Sequence, residues 1–222
     1  MQVILENLPR ILEGFLVTLE LLFISGIAAF ILGVLVVAMR ISPIPALRVF
    51  ATVYTELLRN TPLTLVLFFT AFLLPYLEFR PNSTDPISMY QILAIIGLSF
   101  YTSPFVAEAL RSGVNGVPLG QAEAARSVGL NFGQTLSYVI LPQAFRTVIP
   151  PLINVFIALT KNTSVAGGFA VIELFGVAGA LINENGNAVL PILIGVAIFY
   201  LVITIPLGVI AGRVEKRLAV LR

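Results

Sequence analysis

Lys161 and Ser164 are the two residues whose types and spacing come nearest to a catalytic pair. They lie three residues apart in an apolar stretch. The chain has no cysteine and no histidine, which excludes thiol chemistry, thiolate metal sites and the commonest base and metal ligand. A serine activated by a lysine is then the main route left to an intramembrane enzyme. A lysine and a serine that are close in the sequence do not by themselves make an active site, and we predict no catalytic residues and no metal site.

The composition indicates a protein that lives in a lipid bilayer. Of its 222 residues, 58% are hydrophobic and 11% are charged, whereas soluble domains carry about 25% charged residues. A globular fold of this length could not hide so much apolar surface. The net charge of +2 is too small to indicate nucleic acid. The first apolar run is too long for a signal peptide, and it lacks a basic start and a small-residue cleavage site.

Five stretches are apolar enough to cross a bilayer, which takes about 20 mostly apolar residues. They are Leu21 to Met39, Asn60 to Leu77 (extended backward through Val53), Pro86 to Ala107, Val148 to Ile182, and Ala188 to Gly212. Because the fourth stretch contains Lys161, Glu173 and Gly167-Gly168, and because each half alone is short, we interpret it as one broken or kinked span. The expected fold is all-α: residues 1–222 form a single transmembrane domain, a bundle of five transmembrane helices.

The distribution of lysine and arginine predicts the orientation of the bundle. With the N-terminus outside and the C-terminus inside, ten basic residues lie on the inner side and two on the outer side, with Lys161 inside the fourth span. Cytoplasmic loops carry such an excess of basic residues. The inner residues are Arg40, Arg48, Arg59, Arg111, Arg126, Arg146, Arg213, Lys216, Arg217 and Arg222, and the outer ones are Arg10 and Arg80.

Two further patterns concern the packing of helices. Apolar residues between Ile4 and Phe15 share one helical face, which fits either an amphipathic helix on the outer interface or an extension of the first span. Small residues at four-residue spacing let helices approach closely in lipid. Ser25, Ala29 and Gly33 form one such stripe and Gly208 and Gly212 form another. We expect both stripes to serve packing within the chain, with contact to a second membrane subunit as the alternative.

The cytoplasmic loop carries a polar island that reads Gly120-Gln121-Ala122-Glu123-Ala124-Ala125-Arg126-Ser127-Val128-Gly129. It contains good helix formers and ends at a glycine, which tolerates the left-handed conformation that closes helices. Asn131 is placed to cap a second short helix. Small alanines would let a partner approach the backbone, and Glu123 is the only acidic group available to its arginines or backbone amides. The alternative is an ordinary amphipathic loop resting on the membrane surface.

Four sequence blocks resemble permease subunits of ABC importers for polar amino acids. The segment from Glu123 to Pro142 is similar to the EAA signature of that family, with Val139 where isoleucine is usual. The other blocks are Glu56-Leu57-Leu58-Arg59-Asn60-Thr61-Pro62-Leu63, Phe105-Val106-Ala107-Glu108-Ala109-Leu110-Arg111 and Leu159-Thr160-Lys161-Asn162-Thr163-Ser164. They stand in the family's order, and the chain looks most like the glutamate/glutamine branch. Pro104 and Gly167-Gly168 depart from the family's pattern.

The resemblance implies that the loop over about 112–146 is a coupling loop that inserts into a cytoplasmic ATPase subunit. The docking residues would be Gly120, Glu123, Ala124, Ala125 and Gly129. ATP and magnesium would bind to that partner, because this chain has no Gly-x-x-x-x-Gly-Lys-Ser/Thr phosphate loop. A second permease, identical or related, and an extracytoplasmic solute-binding protein are the other expected partners. The expected location is the prokaryotic plasma (inner) membrane.

Residues that could line or gate a substrate path are Asn60, Thr61, Glu108, Lys161, Asn162 and Thr163. Charged residues inside a membrane usually mark pathways, and Lys161 would suit a second substrate carboxylate if the substrate is glutamate. The alternatives are structural. Lys161 could snorkel or pair with Glu173, Glu108 could pair with Arg111, and Asn60 and Thr61 could satisfy backbone groups freed by Pro62.

A function of another class remains open at this point. An ion-gradient-driven secondary transporter or channel would need no ATPase, but it usually shows internal repeats and membrane acids tuned for coupling. We find no convincing repeat in this sequence. We therefore predict the transmembrane subunit of an ATP-driven importer that moves a polar amino acid by alternating access, with the secondary transporter as the alternative.

Overall fold

The computed structural model describes residues 2–81 and 86–219, and every regular element within these ranges is helical. Four helical stretches are long and apolar enough to cross a membrane: Leu8–Ile41, Met89–Gly113, Phe132–Phe169 and Gly186–Arg217. A bent pair, Pro45–Arg59 with Leu63–Tyr76, supplies a fifth span only if its two helices are counted together. The all-α bundle predicted from the sequence is confirmed.

Helix α1, Leu8–Ile41, is longer than the first predicted span. It follows a single turn at Gln2–Glu6, so most of the amphipathic segment is an extension of the span and not a separate surface helix. Pro9 stands in its first turn, where a missing N–H is harmless. At this end, the Arg10 guanidinium binds Glu184 with two hydrogen bonds of 2.7 and 2.9 Å and thereby lowers the pKa of that carboxyl group.

Helix α4, Pro86–Asn115, packs along α1. The small stripe of α1 is buried, and a side chain at Gly33 would meet Val106 Cγ1 at 2.6 Å and the Ser103 carbonyl oxygen at 3.0 Å. This confirms the expectation of internal packing for Ser25, Ala29 and Gly33. The second stripe differs, because a side chain at Gly208 or Gly212 would meet nothing within 4 Å in the described part of the chain.

We expect Gly33→Leu to weaken the bundle. The added side chain must push α1 and α4 apart, because its Cβ would lie close both to the Val106 side chain and to the Ser103 carbonyl oxygen, which is part of the α4 backbone. Overpacking of this kind costs about 1–3 kcal/mol, which corresponds to a fall of about 5 °C in the unfolding midpoint. Thermal unfolding of the purified protein in detergent measures the midpoint. Ala38→Leu, at an exposed position of the same helix, is the control, and an equal fall in both variants would contradict the packing argument.

Helices α2, Pro45–Arg59, and α3, Leu63–Tyr76, meet at an angle of 104°. The predicted backward extension of the second span through Val53 is therefore wrong as a continuous helix. The break lies at Asn60-Thr61-Pro62, because proline has no N–H for the preceding turn and restricts the residue before it. At the end of α2 the Leu57 carbonyl accepts from the Thr61 hydroxyl at 2.7 Å, and the Glu56 carbonyl accepts from the Asn60 side chain at 2.7 Å in addition to the backbone N–H of Asn60.

Pro104 does not break α4. It cannot donate to the carbonyl of Phe100 one turn earlier, so that carbonyl needs other donors. The Ser103 hydroxyl donates to it at 3.0 Å and the Tyr54 hydroxyl of α2 at 3.3 Å. The two hydroxyl groups thus replace the donor that Pro104 lacks, and the hydrogen bond from Tyr54 holds α2 against α4.

The predicted fourth span is two helices. Helix α6, Leu141–Ala166, continues a shorter helical segment that starts at Phe132 and is long enough to be a span, which corrects the expectation that each half would be short. A 3-10 turn at Gly167–Phe169 and left-handed Ala170 (φ 61°) follow. Helix α7, Leu174–Glu184, then packs against α1 and α8, Val189–Ala219.

Candidate functional site

The polar island of the loop forms helix α5, Leu119–Ser127, which agrees within one residue at each end with the helix-forming stretch Gly120 to Val128 that precedes Gly129. It ends at Gly129, whose φ of 89° is in the left-handed region. The N–H groups of Gly129 and Leu130 donate to the carbonyls of Arg126 and Ala125, which satisfies the open end of the helix. Asn131 caps the next turn as predicted, with reciprocal hydrogen bonds to Gln134 of 2.9 and 3.0 Å.

Helix α5 has an outer face that nothing else in the described chain covers. Gly120, Glu123, Ala124 and Gly129 are exposed, whereas Ala125 is buried where α5 packs on the Phe132–Ile140 segment. Large apolar residues flank the outer face, with Leu119, Val128 and Phe132 exposed by 82%, 77% and 70%. A mixed apolar and acidic surface of this kind suits a protein groove. Ala125 contributes to it only by holding the helix in place.

The loop leaves the bundle where α4 and α6 are fastened together. The Thr147 hydroxyl donates to the Gly113 carbonyl at 2.7 Å. Val148 packs so closely on Gly113 that a Cβ at position 113 would overlap it. The two ends of the loop are therefore held together where they join α4 and α6.

Glu108 lies in a cluster of arginines that joins three helices. Its carboxylate accepts from Arg40 of α1 at 3.0 Å and from Nε of Arg111 at 3.1 Å, and Arg59 of α2 lies 3.8 Å away. The Arg111 pairing proposed from the sequence is present, but the contacts to Arg40 and Arg59 are more informative because they bind α1 and α2 to α4. Glu108 therefore links α1, α2 and α4 at one end of the bundle.

Lys161 and Ser164 line a different region, a cavity of about 400 Å³ between α6 and α8. Tyr200 and Thr204 supply its other hydroxyl groups, and the remaining lining is apolar. The Ser164 hydroxyl donates to the Lys161 carbonyl at 2.7 Å, so nothing pairs it with the lysine amine as a nucleophile. Thr163 is buried and bonds to the Thr160 carbonyl, and Asn162 is half-buried.

The predicted path residues therefore fall into two groups. Asn60, Thr61 and Glu108 lie around the α2–α3 bend and the arginine cluster, whereas Lys161 lines the cavity with Ser164. Among the described residues that line that cavity, none belongs to the first group. The structure does not bring the six residues into one site.

Glu173 is the residue whose role the sequence analysis missed. It is fully buried and caps the N-terminus of α7, accepting from the backbone of Phe175 at 2.9 Å and Gly176 at 2.8 Å. The hydroxyl groups of Tyr200 (2.8 Å) and Thr18 (3.3 Å) also reach it. Within the described residues no ion pair joins it to Lys161, so the proposed Lys161–Glu173 pair is wrong. The preferred N-cap residues are Ser, Thr, Asp and Asn, so the sequence signal was only an acidic residue directly before an apolar run, at the helix end where a negative charge is stabilised.

Comparison with known proteins finds relatives that are named as permease proteins of amino-acid transport systems. The chain is 43% identical over 217 residues to the glutamate transport system permease protein GluC of Corynebacterium glutamicum, covering 96% of this chain and 95% of that protein. It is 39% identical over 216 residues to the probable glutamine ABC transporter permease protein GlnM of Bacillus subtilis, covering 97% and 96%.

The fold has a solved counterpart. A structure described as "Crystal structure of an amino acid ABC transporter with histidines" superposes with a TM-score of 0.86 at 26% identity, covering 96% of both chains. Residues 29–220 match the family described as binding-protein-dependent transport system inner membrane component. This match spans most of the chain, including the arginine cluster, α5 and the Lys161 cavity. The chain belongs to the family of inner membrane components of binding-protein-dependent transport systems.

Proposed function

We propose that this chain is the transmembrane subunit of an ATP-driven importer for a polar amino acid, glutamate or glutamine being the favoured substrates. The observation that carries the proposal is helix α5, which presents Glu123 and exposed apolar residues on a face that the described part of the chain leaves uncovered. Relatives named for glutamate and glutamine transport support the substrate class. The charge distribution supports an inner-membrane location with the N-terminus outside and α5 in the cytoplasm.

In this mechanism the helices of the chain move and line the substrate path, and the partner ATPase drives the movement by binding and hydrolysing ATP. A cytoplasmic ATPase dimer, which binds ATP and magnesium, grips α5 through Gly120, Glu123, Ala124 and Gly129. Closure of the dimer moves α5, and the Gly113–Thr147 contact passes that movement to α4 and α6. A second permease completes the path, and an extracytoplasmic binding protein delivers the amino acid. Two global states, biased by nucleotide, then give alternating access.

The path is assigned to the Lys161 cavity. A zwitterion leaving water needs partners for both of its charges. Lys161 contributes an ammonium group to the lining of this cavity, and Ser164 and Thr204 contribute hydroxyl groups. Asn162 and Thr163 lie on the same turn of α6 as Lys161, and we assign them to maintaining the conformation of that turn. Glu108, with Asn60 and Thr61 at the α2–α3 bend, is assigned to the gate, where its three arginines fix the ends of the helices.

Reconstitution tests the function. The complex purified through a tag on this chain is placed in proteoliposomes with the co-purifying ATPase and its binding protein, and uptake of radiolabelled glutamate and glutamine is followed. We expect uptake that requires ATP together with the binding protein. Uptake driven by an ion gradient without ATP would overturn the proposal and support a secondary transporter.

We expect Lys161→Ala to lower amino-acid uptake about tenfold or to release ATP hydrolysis from its dependence on substrate. A charge-assisted contact to a substrate carboxylate is worth about 1.5–3 kcal/mol. Uptake and ATPase rates in the same proteoliposomes are the measurements. The control is Lys216→Ala, which removes the chain's other lysine at an exposed position near the end of α8. Unchanged uptake and coupling in Lys161→Ala would return Lys161 to a structural role.

A further inference from the structure

A second cavity, unlike the Lys161 cavity, opens where the end of α1 meets α2 and α4. Its volume is about 500 Å³, and it combines the guanidinium groups of Arg40, Arg48 and Arg111 with the apolar side chains of Ile41, Val49 and Val53. Cationic and apolar groups thus share one wall. Arg40 and Arg111 also contact Glu108 in the proposed gate, whereas Arg48 and the apolar lining have no part in the proposed transport mechanism.

The charges around the cavity are not balanced. Glu108 is the carboxylate that contacts Arg40, Arg59 and Arg111. Among the described residues, Arg48 donates to two backbone carbonyls, those of Ser42 at 2.9 Å and Pro43 at 3.1 Å. Within the described residues no carboxylate lies within 4.0 Å of Arg48. Even with Glu56 of α2 counted, the region keeps an excess of positive charge, which calls for an anionic ligand.

The orientation of α2 indicates that the ligand comes from the lipid bilayer. The angle of 104° between α2 and α3 sets α2 along the membrane surface when α3 stands across it. The side chains of Val49, Phe50, Val53 and Leu57 are 58–64% exposed, and they present an apolar face beside the guanidinium groups. A helix at the interface buries such a face among acyl chains while its cations meet the headgroups.

We propose that this cavity binds an anionic phospholipid, with its phosphate on Arg48 and Arg40 and its acyl chains along the exposed face of α2. Guanidinium groups bind phosphate oxygens through paired hydrogen bonds. Basic pockets between helices on the cytoplasmic side are suited to anionic headgroups, and the positive-inside distribution puts this cavity on that side. The site goes beyond the proposed function, because it requires neither an amino-acid substrate nor ATP.

The test counts the lipids that the complex retains. The complex containing this chain is purified in mild detergent, equilibrated with equal amounts of phosphatidylglycerol and phosphatidylcholine, and washed, and the retained lipids are measured by mass spectrometry. We expect phosphatidylglycerol to be enriched. Arg48→Gln should reduce the retained phosphatidylglycerol about fivefold, as expected for one basic residue at an anionic surface, and Arg48→Lys should keep most of it.

The control is Arg213→Gln, which removes an exposed arginine of α8 on the same predicted side and should leave retention unchanged. Thr52→Glu, at an exposed cavity position, lowers retention by repulsion without removing a contact of Arg48, and it serves if Arg48→Gln does not assemble. Equal retention of both lipids, equal losses in Arg48→Gln and Arg213→Gln, or displacement of the lipid by excess inorganic phosphate would overturn the proposal. The last outcome would assign the cavity to free phosphate.

Discussion

Replacing Glu123 with lysine is expected to separate this chain from its ATPase partner while leaving the membrane bundle intact. Glu123 is exposed on α5 and forms no ion pair with the described residues. Lysine is also a good helix former, so α5 should persist. In a docked complex the new cation would face groups arranged for a carboxylate, and loss of a buried charged contact costs about 2–5 kcal/mol. ATPase co-purification should therefore fall by a factor of about 30 or more.

The measurement is the amount of ATPase captured through a tag on this chain, with ATP hydrolysis in proteoliposomes as a second readout. Glu215→Lys makes the same change in charge at an exposed position of α8 on the same predicted side, and it should keep the ATPase bound. Glu123→Gln, which keeps the shape and an acceptor oxygen, should fall between the two. If Glu123→Lys still assembles and hydrolyses ATP in step with uptake, α5 is not the docking element.

Local pattern explains why so much of the bundle could be predicted. The spans other than the fourth follow from uninterrupted apolar runs, and the end of α5 and the cap at Asn131 follow from residues within four positions of each other. The break at Pro62 also has a local cause. In each of these places the residues that determine the structure are neighbours in the sequence.

Contacts between distant segments explain what the sequence did not reveal. The Arg40–Glu108 pair joins residues 68 positions apart, and the Thr18–Glu173 contact joins residues 155 apart. The inward position of Ala125 depends on how α5 rests on the segment that follows it. The separation of the predicted path residues into two groups depends on the depth at which each helix meets its neighbours. None of these facts leaves a periodic signal in the chain.

The largest loss of stability is expected from Glu173→Ala. The carboxylate holds three elements together, because it caps α7, accepts from Tyr200 of α8 and touches Thr18 of α1. Thr18 in turn accepts from the backbone N–H of Leu174 at 3.1 Å. Alanine would leave two backbone N–H groups and the Tyr200 hydroxyl without their acceptor in a buried site. Each such group costs about 1–3 kcal/mol, so the loss for the three groups together is expected to be at least about 3 kcal/mol.

The thermal midpoint of the detergent-solubilised complex should then fall by about 10 °C. Three further variants separate the cap from a general effect of mutation. Tyr200→Phe removes one donor and leaves the carboxylate capped by α7, so its loss should be smaller. Glu173→Gln keeps one acceptor oxygen but turns an NH₂ group toward a donor, so it should lie between Tyr200→Phe and Glu173→Ala. Glu184→Ala, at the exposed other end of α7, removes only a surface ion pair, which solvent screens. The buried carboxylate holds α1, α7 and α8 together only if the losses follow this order, and equal losses at Glu173 and Glu184 would refute that role.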